Sequence, residues 1–297
     1  MPSRRLFLAT TTAAALAQQP AEKSGEKPVE FLCPMDPDIR QLTPGRCPRC
    51  GMKLVPGLPD PIEYPLELTT TPRQPRPGQP VRLRFTIRHP RTRKPTGELE
   101  LVHERVFHLF LISEDLAHFA HEHPTPVAPG VFEFDWSFPT GGMWRLLADF
   151  YPTGATPQLI ARTLLLPGGT LLPPQLIDDT AMPRRGENIE VSLRLGPTAA
   201  ALAGEKTLLQ YRISPRESFE PFLGAMGHML IASADLIDMI HTHPFLIDGG
   251  LPVPPAEAKL VQFNVIFPRP GLYRVWAQFQ RAGVVNTIPF NVAVKSL

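Results

Sequence analysis

The chain has 297 residues, with 30 Lys and Arg against 28 Asp and Glu and a formal charge of +2. This balance excludes the basic footprint of a nucleic-acid binder or of a protein held on an anionic membrane, and no apolar run after the N-terminus approaches the roughly 20 residues that span a bilayer. Proline contributes 37 residues, which disfavours helices and central strands and predicts many short strands joined by Pro-rich loops.

The N-terminus carries Ser3, Arg4, Arg5, Phe7 and Leu8, then a small apolar run ending at Ala15, Leu16 and Ala17. A basic start, a short apolar stretch and an A-x-A site predict an export signal over residues 1–17. The residues around the two arginines fit the twin-arginine route, with the general secretory route as the alternative. The mature chain is expected in the periplasm or outside the cell. Loss of Arg4 and Arg5 leaves 28 basic residues against 28 acidic ones.

Cys33, Cys47 and Cys50 are the only cysteines. Three cannot all pair internally, which argues against a plain disulfide framework in an exported chain. Cys47 and Cys50, closed by Gly51, have the Cys-x-x-Cys spacing of a two-thiolate metal knuckle, and Cys33 can fold back as a third ligand. Met35 and Met52 add thioethers. The segment, residues 28–57, is too short to bury a useful core, so ligation would supply its folding energy. Cys33, Pro34, Met35, Pro37, Pro44, Gly45, Cys47, Pro48, Cys50, Gly51, Met52 and Leu54 resemble the heavy-metal-binding domain of copper and silver efflux adaptors and copper-transporting P-type ATPases. That resemblance implies a soft metal, copper first and zinc as the alternative. The family's histidine is replaced by Asp36, a harder ligand than imidazole.

Two long repeats follow, expected over residues 61–167 and 174–297 with a Pro-rich boundary at Leu166–Pro174. In the first, Val81–Ile87 alternates apolar and polar residues as a half-buried strand does. Further strands are expected at Glu98–Val102, Phe107–Ile112, Val131–Phe138 and Trp144–Phe150. The second repeat has counterparts at Ile189–Leu195, Leu208–Ile213, Met229–Ala232, Leu260–Phe267, Leu272–Phe279 and Ile288–Val294. Short strands at this spacing predict an all-β chain: two tandem immunoglobulin-like β-sandwich repeats preceded by the Cys-rich module. The start at Ser113 reads as one helical turn running to Leu116, and Trp144, Tyr273, Phe150 and Phe279 as core.

Six of the nine histidines repeat at one offset. His108, His121 and His123 lie 120 residues before His228, His241 and His243. His121 and His123 share one face of a strand, and a returning strand brings His108 opposite them. Each triad is therefore a candidate mononuclear site for Zn(II) or Cu(II). Met226 and Met229 flank only His228 and would soften the second site. Asp115 and Asp235, each beside a Ser, read as turn caps rather than ligands. His89, His103 and His118 have no counterpart and read as surface residues.

Beyond the histidines, the segment from Pro270 through Tyr273 and Trp276 to Gln280 resembles exported bacterial domains of immunoglobulin type and undefined activity. Such domains often accompany heavy-metal-binding modules. Together the motifs predict a copper-binding protein of the cell envelope that sequesters metal or passes it to an efflux or acceptor protein. Its thiolate knuckle would swing on a Pro-rich tether. The alternative is an extracellular scaffold with structural zinc. No paired general acid and base and no activated nucleophile stand out, so a metalloenzyme ranks last.

Overall fold

The computed structural model describes residues 30–33, 39–48, 52–57, 62–169, 174–248, 251–252 and 260–297. The expected export signal at 1–17, Met35, Cys50 and part of the boundary at Leu166–Pro174 lie outside the described residues. Among the described residues every regular element is a strand.

The first repeat is a sandwich of two four-stranded sheets. One runs Leu66–Thr71, Pro80–Ile87, Val131–Ser137, Thr125–Ala128, and the other Gln158–Leu166, Gly142–Phe150, Phe107–Ser113, Phe119–Glu122. This is the strand order of immunoglobulin-type sandwiches, with one strand added beside the third. Pro80–Ile87 shows how the pattern acts: Val81, Leu83, Phe85 and Ile87 are buried, while Arg82 and Arg84 face out and pair with Asp135 and Glu133.

The second repeat keeps the same order. Glu190–Gly196, Lys206–Ser214, Leu260–Ile266 and Phe245–Asp248 form one sheet, extended by Arg184–Arg185 and Leu251–Pro252. Val284–Lys295, Gly271–Arg281, His228–Ser233 and Met239–Thr242 form the other, with Ala201–Leu202 and Phe219–Glu220 at its margins. Phe245–Asp248 and Leu251–Pro252 pair antiparallel as a short hairpin.

Two expected secondary-structure elements differ from the structure. Glu98–Val102 is not a ladder strand and makes only isolated bridges, from Leu99 to Pro152 and from Val102 to Arg105. The expected helical turn at Ser113 is a tight β-turn. Leu116 donates to the Ser113 carbonyl at 2.9 Å, and its φ of +58° leaves the helical region. Ser113 and Asp115 hold that turn as expected of caps: Asp115 Oδ1 accepts from the Ala117 amide at 3.0 Å, and Ser113 Oγ from the His118 amide at 2.9 Å. Trp144, Tyr273, Phe150 and Phe279 are buried core residues, as expected.

The strand Phe107–Ser113 is buried along its whole length. Its odd positions Phe107, Leu109 and Leu111 enter the core of the first sandwich. Its even positions Phe110 and Ile112 join Leu147, Leu230, Ala232, Leu236 and Trp276 in a separate apolar core made by both repeats. The two sandwiches therefore pack face to face, each through the sheet that holds its His triad. Phe119 stacks on Trp276 across the joint, with ring centroids 4.9 Å apart. Burial of one such large side chain contributes about 1.5–3 kcal/mol.

The Cys-rich segment forms a three-stranded sheet in which Phe31–Leu32 pairs with both Arg40–Gln41 and Val55–Pro56. Cys33, Cys47, Met52, Leu54 and Val55 are buried together with Tyr151 of the first sandwich, and Val102 packs against them. Tyr151 donates to the Lys53 carbonyl at 3.3 Å, and Lys53 pairs with Glu100 at 3.5 Å. The expected swinging knuckle is thus docked, because its small core is completed by an aromatic side chain from the sandwich.

Candidate metal centre

Both triads converge. The ligand nitrogens of His108, His121 and His123 lie within 4.8 Å of one another, as do those of His228, His241 and His243. His108 faces its partners across the ladder that pairs Phe110 with His121. His228 does the same across the ladder that pairs Leu230 with His241. In the first triad His108 Nδ1 is 3.1 Å from His121 Nε2 and 3.2 Å from His123 Nε2. Metal–nitrogen bonds of about 2.0–2.1 Å at tetrahedral angles place ligand nitrogens roughly 3.3 Å apart, so the spacing fits one ion.

Hydrogen bonds outside the triads assign the ring nitrogens. His108 Nε2 donates to the Val102 carbonyl at 3.1 Å, and His228 Nε2 to the Phe222 carbonyl at 2.8 Å. Those donors leave Nδ1 of each ring for metal. His121 Nδ1 donates to Gln278 Oε1 at 2.7 Å, and Gln278 Nε2 donates to Thr287 Oγ1 at 3.0 Å. His241 Nδ1 bonds and pairs with Asp149 Oδ2. Those two rings keep Nε2 for metal. Ligating imidazoles are held in this way by outer partners that fix the tautomer and raise basicity.

Each outer partner of His121 and His241 comes from the opposite sandwich. Asp149 and Gln278 occupy equivalent places in the two repeats, opposite His108 and His228 in their ladders. The triads consequently lie side by side at the joint, with His121 and His228 ring centroids 5.7 Å apart and those of His108 and His241 6.1 Å apart.

In the second triad His228 Nδ1, His241 Nε2 and both nitrogens of His243 are buried with no hydrogen-bond partner. Buried polar atoms are normally paired, and one ligand nitrogen from each of these three rings lies within 4.8 Å of the other two. Desolvation holds His108, His121, His123, His228 and His243 neutral, the form that ligates. Burial lowers His108 to about 4 and His123 to about 3, and holds His121, His228 and His243 well below the imidazole range. Burial would raise Asp149, but the adjacent His241, His108 and His103 more than offset it and its carboxyl is lowered.

Three residues at this centre differ from or escape the sequence reading. His103 is no ordinary surface residue: its ring lies 3.8 Å from that of His243 and 5.2 Å from that of His228, and burial with the neighbouring His241 and His108 lowers it to about 4. It enters the centre because the joint between sandwiches, which no local pattern reveals, closes over its turn. Asp149 stands between Ala148 and Phe150, and Gln278 between Ala277 and Phe279, at matching places in the two repeats. A mismatched polar pair between matched apolar neighbours was the available signal. Met229 does not soften the second site, because it alternates with His228 and points into the core of its own sandwich. Asp115 and Asp235 are not beside the triads' nitrogens and act on their turns, each 2.5 Å from its Ser hydroxyl.

Cys33 and Cys47 are brought together in the core of the docked module, with Met52. Met35 and Cys50 lie outside the described residues. Met52, Val102, His108, Asp149, His241 and His243 line one small cavity beside the module.

The fold and sites define a two-sandwich protein with a paired histidine centre and an attached heavy-metal-binding domain. The chain belongs to the family described as a domain of unknown function (DUF8832), whose profile matches residues 63–161 and again 185–296. The heavy metal binding domain profile matches residues 31–56. A copper-exporting P-type ATPase of Legionella pneumophila is 53% identical over 38 residues, which are 13% of this chain and 5% of the ATPase. The chain therefore spans a small fraction of that relative. Among solved structures, a Salmonella alpha-2-macroglobulin mutant aligns over 81% of this chain and 15% of its own, at 11% identity and a TM-score of 0.25. Fibronectin(III)-like modules of Clostridium thermocellum CbhA align over 78% and 95%, at 10% identity and a TM-score of 0.20. Among the described residues no helix is long and apolar enough to cross a membrane.

Proposed function

We propose that this protein binds copper in the cell envelope and acts in its sequestration or transfer, without catalysing a reaction. The observation that carries the reading is the pair of convergent triads, each with three ligand nitrogens within 4.8 Å of one another, beside a docked heavy-metal-binding domain. The ligands are His108, His121 and His123 in one site, His228, His241 and His243 in the other, and Cys33, Cys47 and Cys50 with Met35 and Met52 in the module. Thiolate and thioether favour Cu(I), and imidazole favours Cu(II) or Zn(II). The short match to the copper-exporting ATPase supports copper, and the N-terminal pattern at 1–17 supports export. The units in this reading are 28–57, 61–167 and 174–297, and the acceptor is an efflux or carrier protein.

A second reading, structural zinc in a binding scaffold, is favoured by the burial of both triads at a domain joint. Metal analysis of protein purified under copper-replete and zinc-replete conditions, followed by release to a competing chelator, separates the two. Copper that exchanges within minutes supports transfer. Zinc that stays bound supports the scaffold, and the absence of any ion at the triads overturns both.

A further inference from the structure

We propose that the two triads form one dinuclear centre, in which imidazoles from both sandwiches hold two ions so close that binding of the first weakens binding of the second. This rests on the reading of the triads as metal sites and states what they do together. One ion is retained, and the other is released readily.

Rings of different triads are nearly as close as rings of the same triad. Within the first triad the ring centroids are 4.9 to 5.3 Å apart, and within the second 4.6 to 6.3 Å. Across the joint His108 lies 6.3 Å from His228 and 6.1 Å from His241. His121 lies 5.7 Å from His228 and 6.3 Å from His241. These four imidazoles, two from each sandwich, form one cluster, and His123 and His243 complete the two ligand sets. With metal–nitrogen bonds of about 2.0–2.1 Å, an ion sits roughly 3 Å from the centroid of a ring that ligates it. Rings 5.7 Å apart therefore keep their two ions within roughly 12 Å of each other. His108 of one triad and His241 and His243 of the other also line the same small cavity, with Asp149 on its wall.

Proximity of this kind has an electrostatic consequence. Neutral imidazole ligands leave each divalent ion its whole charge. Like charges at such a separation repel, and salt screens buried charges far less than exposed ones. Asp149 offsets part of the repulsion, since it bonds His241 and stands opposite His108 in its ladder. Gln278, at the equivalent place in the other repeat, is neutral. A lone carboxylate carries less charge than two divalent ions bring. The first ion therefore gains its attraction, and the second enters a centre that is already positive. The two sites fill in sequence, and the later ion is the one an acceptor can remove while the earlier ion still holds the joint.

The test uses the full chain with Cys47→Ser, so that the thiolate module takes little of the metal, and compares this parent with His123→Ala and His243→Ala. Each further substitution disables one triad at a ring outside the four-ring cluster. Zn(II) is titrated against a competing chelator, and Cu(II) binding is followed by electron paramagnetic resonance. The parent should bind two ions in two steps. The product of the affinities left in the two variants should exceed the product of the parent's stepwise affinities by about tenfold or more. One equivalent of Cu(II) should give the lines of an isolated ion in all three proteins. Two equivalents in the parent should broaden those lines by dipolar coupling. Equal affinity products overturn the proposal, and so does a two-equivalent spectrum that is the plain sum of two isolated ions. A parent that binds no ion at the triads instead removes the reading beneath it.

Discussion

His121 and Gln278 belong to different sandwiches and are 157 residues apart in sequence, yet His121 Nδ1 lies 2.7 Å from Gln278 Oε1. His241 and Asp149 make the same bond in the opposite direction. Each triad is therefore oriented only when the two sandwiches are docked. Ions that bind the docked state and not the separated one stabilise it by mass action, about 2.7 kcal/mol at a metal concentration of 100 Kd. Zn(II) or Cu(II) should raise Tm by several degrees, and a chelator should reverse the gain. A Tm indifferent to metal would show that docking and ligation are independent.

The substitution His121→Ala removes one of three ligands from the first site. Metal stoichiometry should fall by one ion per chain, since loss of a direct ligand exceeds the roughly 10–100-fold cost of losing an outer partner. His241 keeps its bond to Asp149, so the second site should persist. Isothermal titration of both proteins with Zn(II) gives the count, and equal stoichiometry would leave the triad with a packing role alone.

Much of this arrangement was legible in the residues. The 120-residue offset of the histidines located both triads, and alternation at Val81–Ile87 located a core strand. Leu66–Thr71 and Gln158–Leu166 escaped notice, because an edge strand with outward threonines or arginine carries weak alternation. The joint was not legible at all. Phe110 and Ile112 read as ordinary strand residues until the opposite sheet covers them, and His103 reads as surface for the same reason. A strand buried on both faces signals a second contact layer, and Phe107–Ile112 has that continuous character.

Trp276 tests the joint itself. It lies in the shared apolar core and stacks on Phe119 of the other sandwich. Trp276→Ala should cost about 3–5 kcal/mol, the usual range for an aromatic core truncation. It should also weaken both metal sites together, although Trp276 touches neither set of ligand nitrogens. Denaturant unfolding and Zn(II) titration check the two effects; lost stability with unchanged affinity would separate the joint from the sites.

The neutral histidines make the metal-free protein sensitive to acid. His108 is held at about 4 by burial, against about 6.5 in the unfolded chain. Between those values the unfolded state binds the proton and the native state does not. Stability is therefore complete above about pH 6.5 and falls as pH drops toward 4, on the order of 3 kcal/mol for His108 alone. Chelator-treated protein unfolded in urea from pH 7.5 to 4.5 should show that decline. A flat profile would mean that the rings are hydrated and protonate freely in the folded state.

Asp115 and Asp235 distinguish turn support from ligation. Each accepts hydrogen bonds within its own turn, and Asp235 also pairs with Arg269 at 3.0 Å. Asp115→Ala should cost about 0.5–1.5 kcal/mol for a lost hydrogen bond and leave metal stoichiometry unchanged. A loss of bound metal would bring the carboxylate into the site.

The last test concerns the docked module. Cys47 is buried in a small core that Tyr151 of the first sandwich completes. Its amide donates to the Met52 carbonyl at 2.7 Å. Cys47→Ser changes one sulfur to oxygen and preserves shape, so docking through Tyr151 should survive. Serine is a poor ligand for a soft ion. The full-length variant should therefore lose Cu(I) from the module while both histidine sites still take Zn(II). If transfer runs through the cavity beside Met52, Cu(I) added to this variant should reach the histidines more slowly than in the wild type. Stopped-flow delivery from a Cu(I)–chelate complex measures that rate. Equal rates in the two proteins would mean that the histidine sites fill directly from solution, and that the module and the triads serve separate pools of metal.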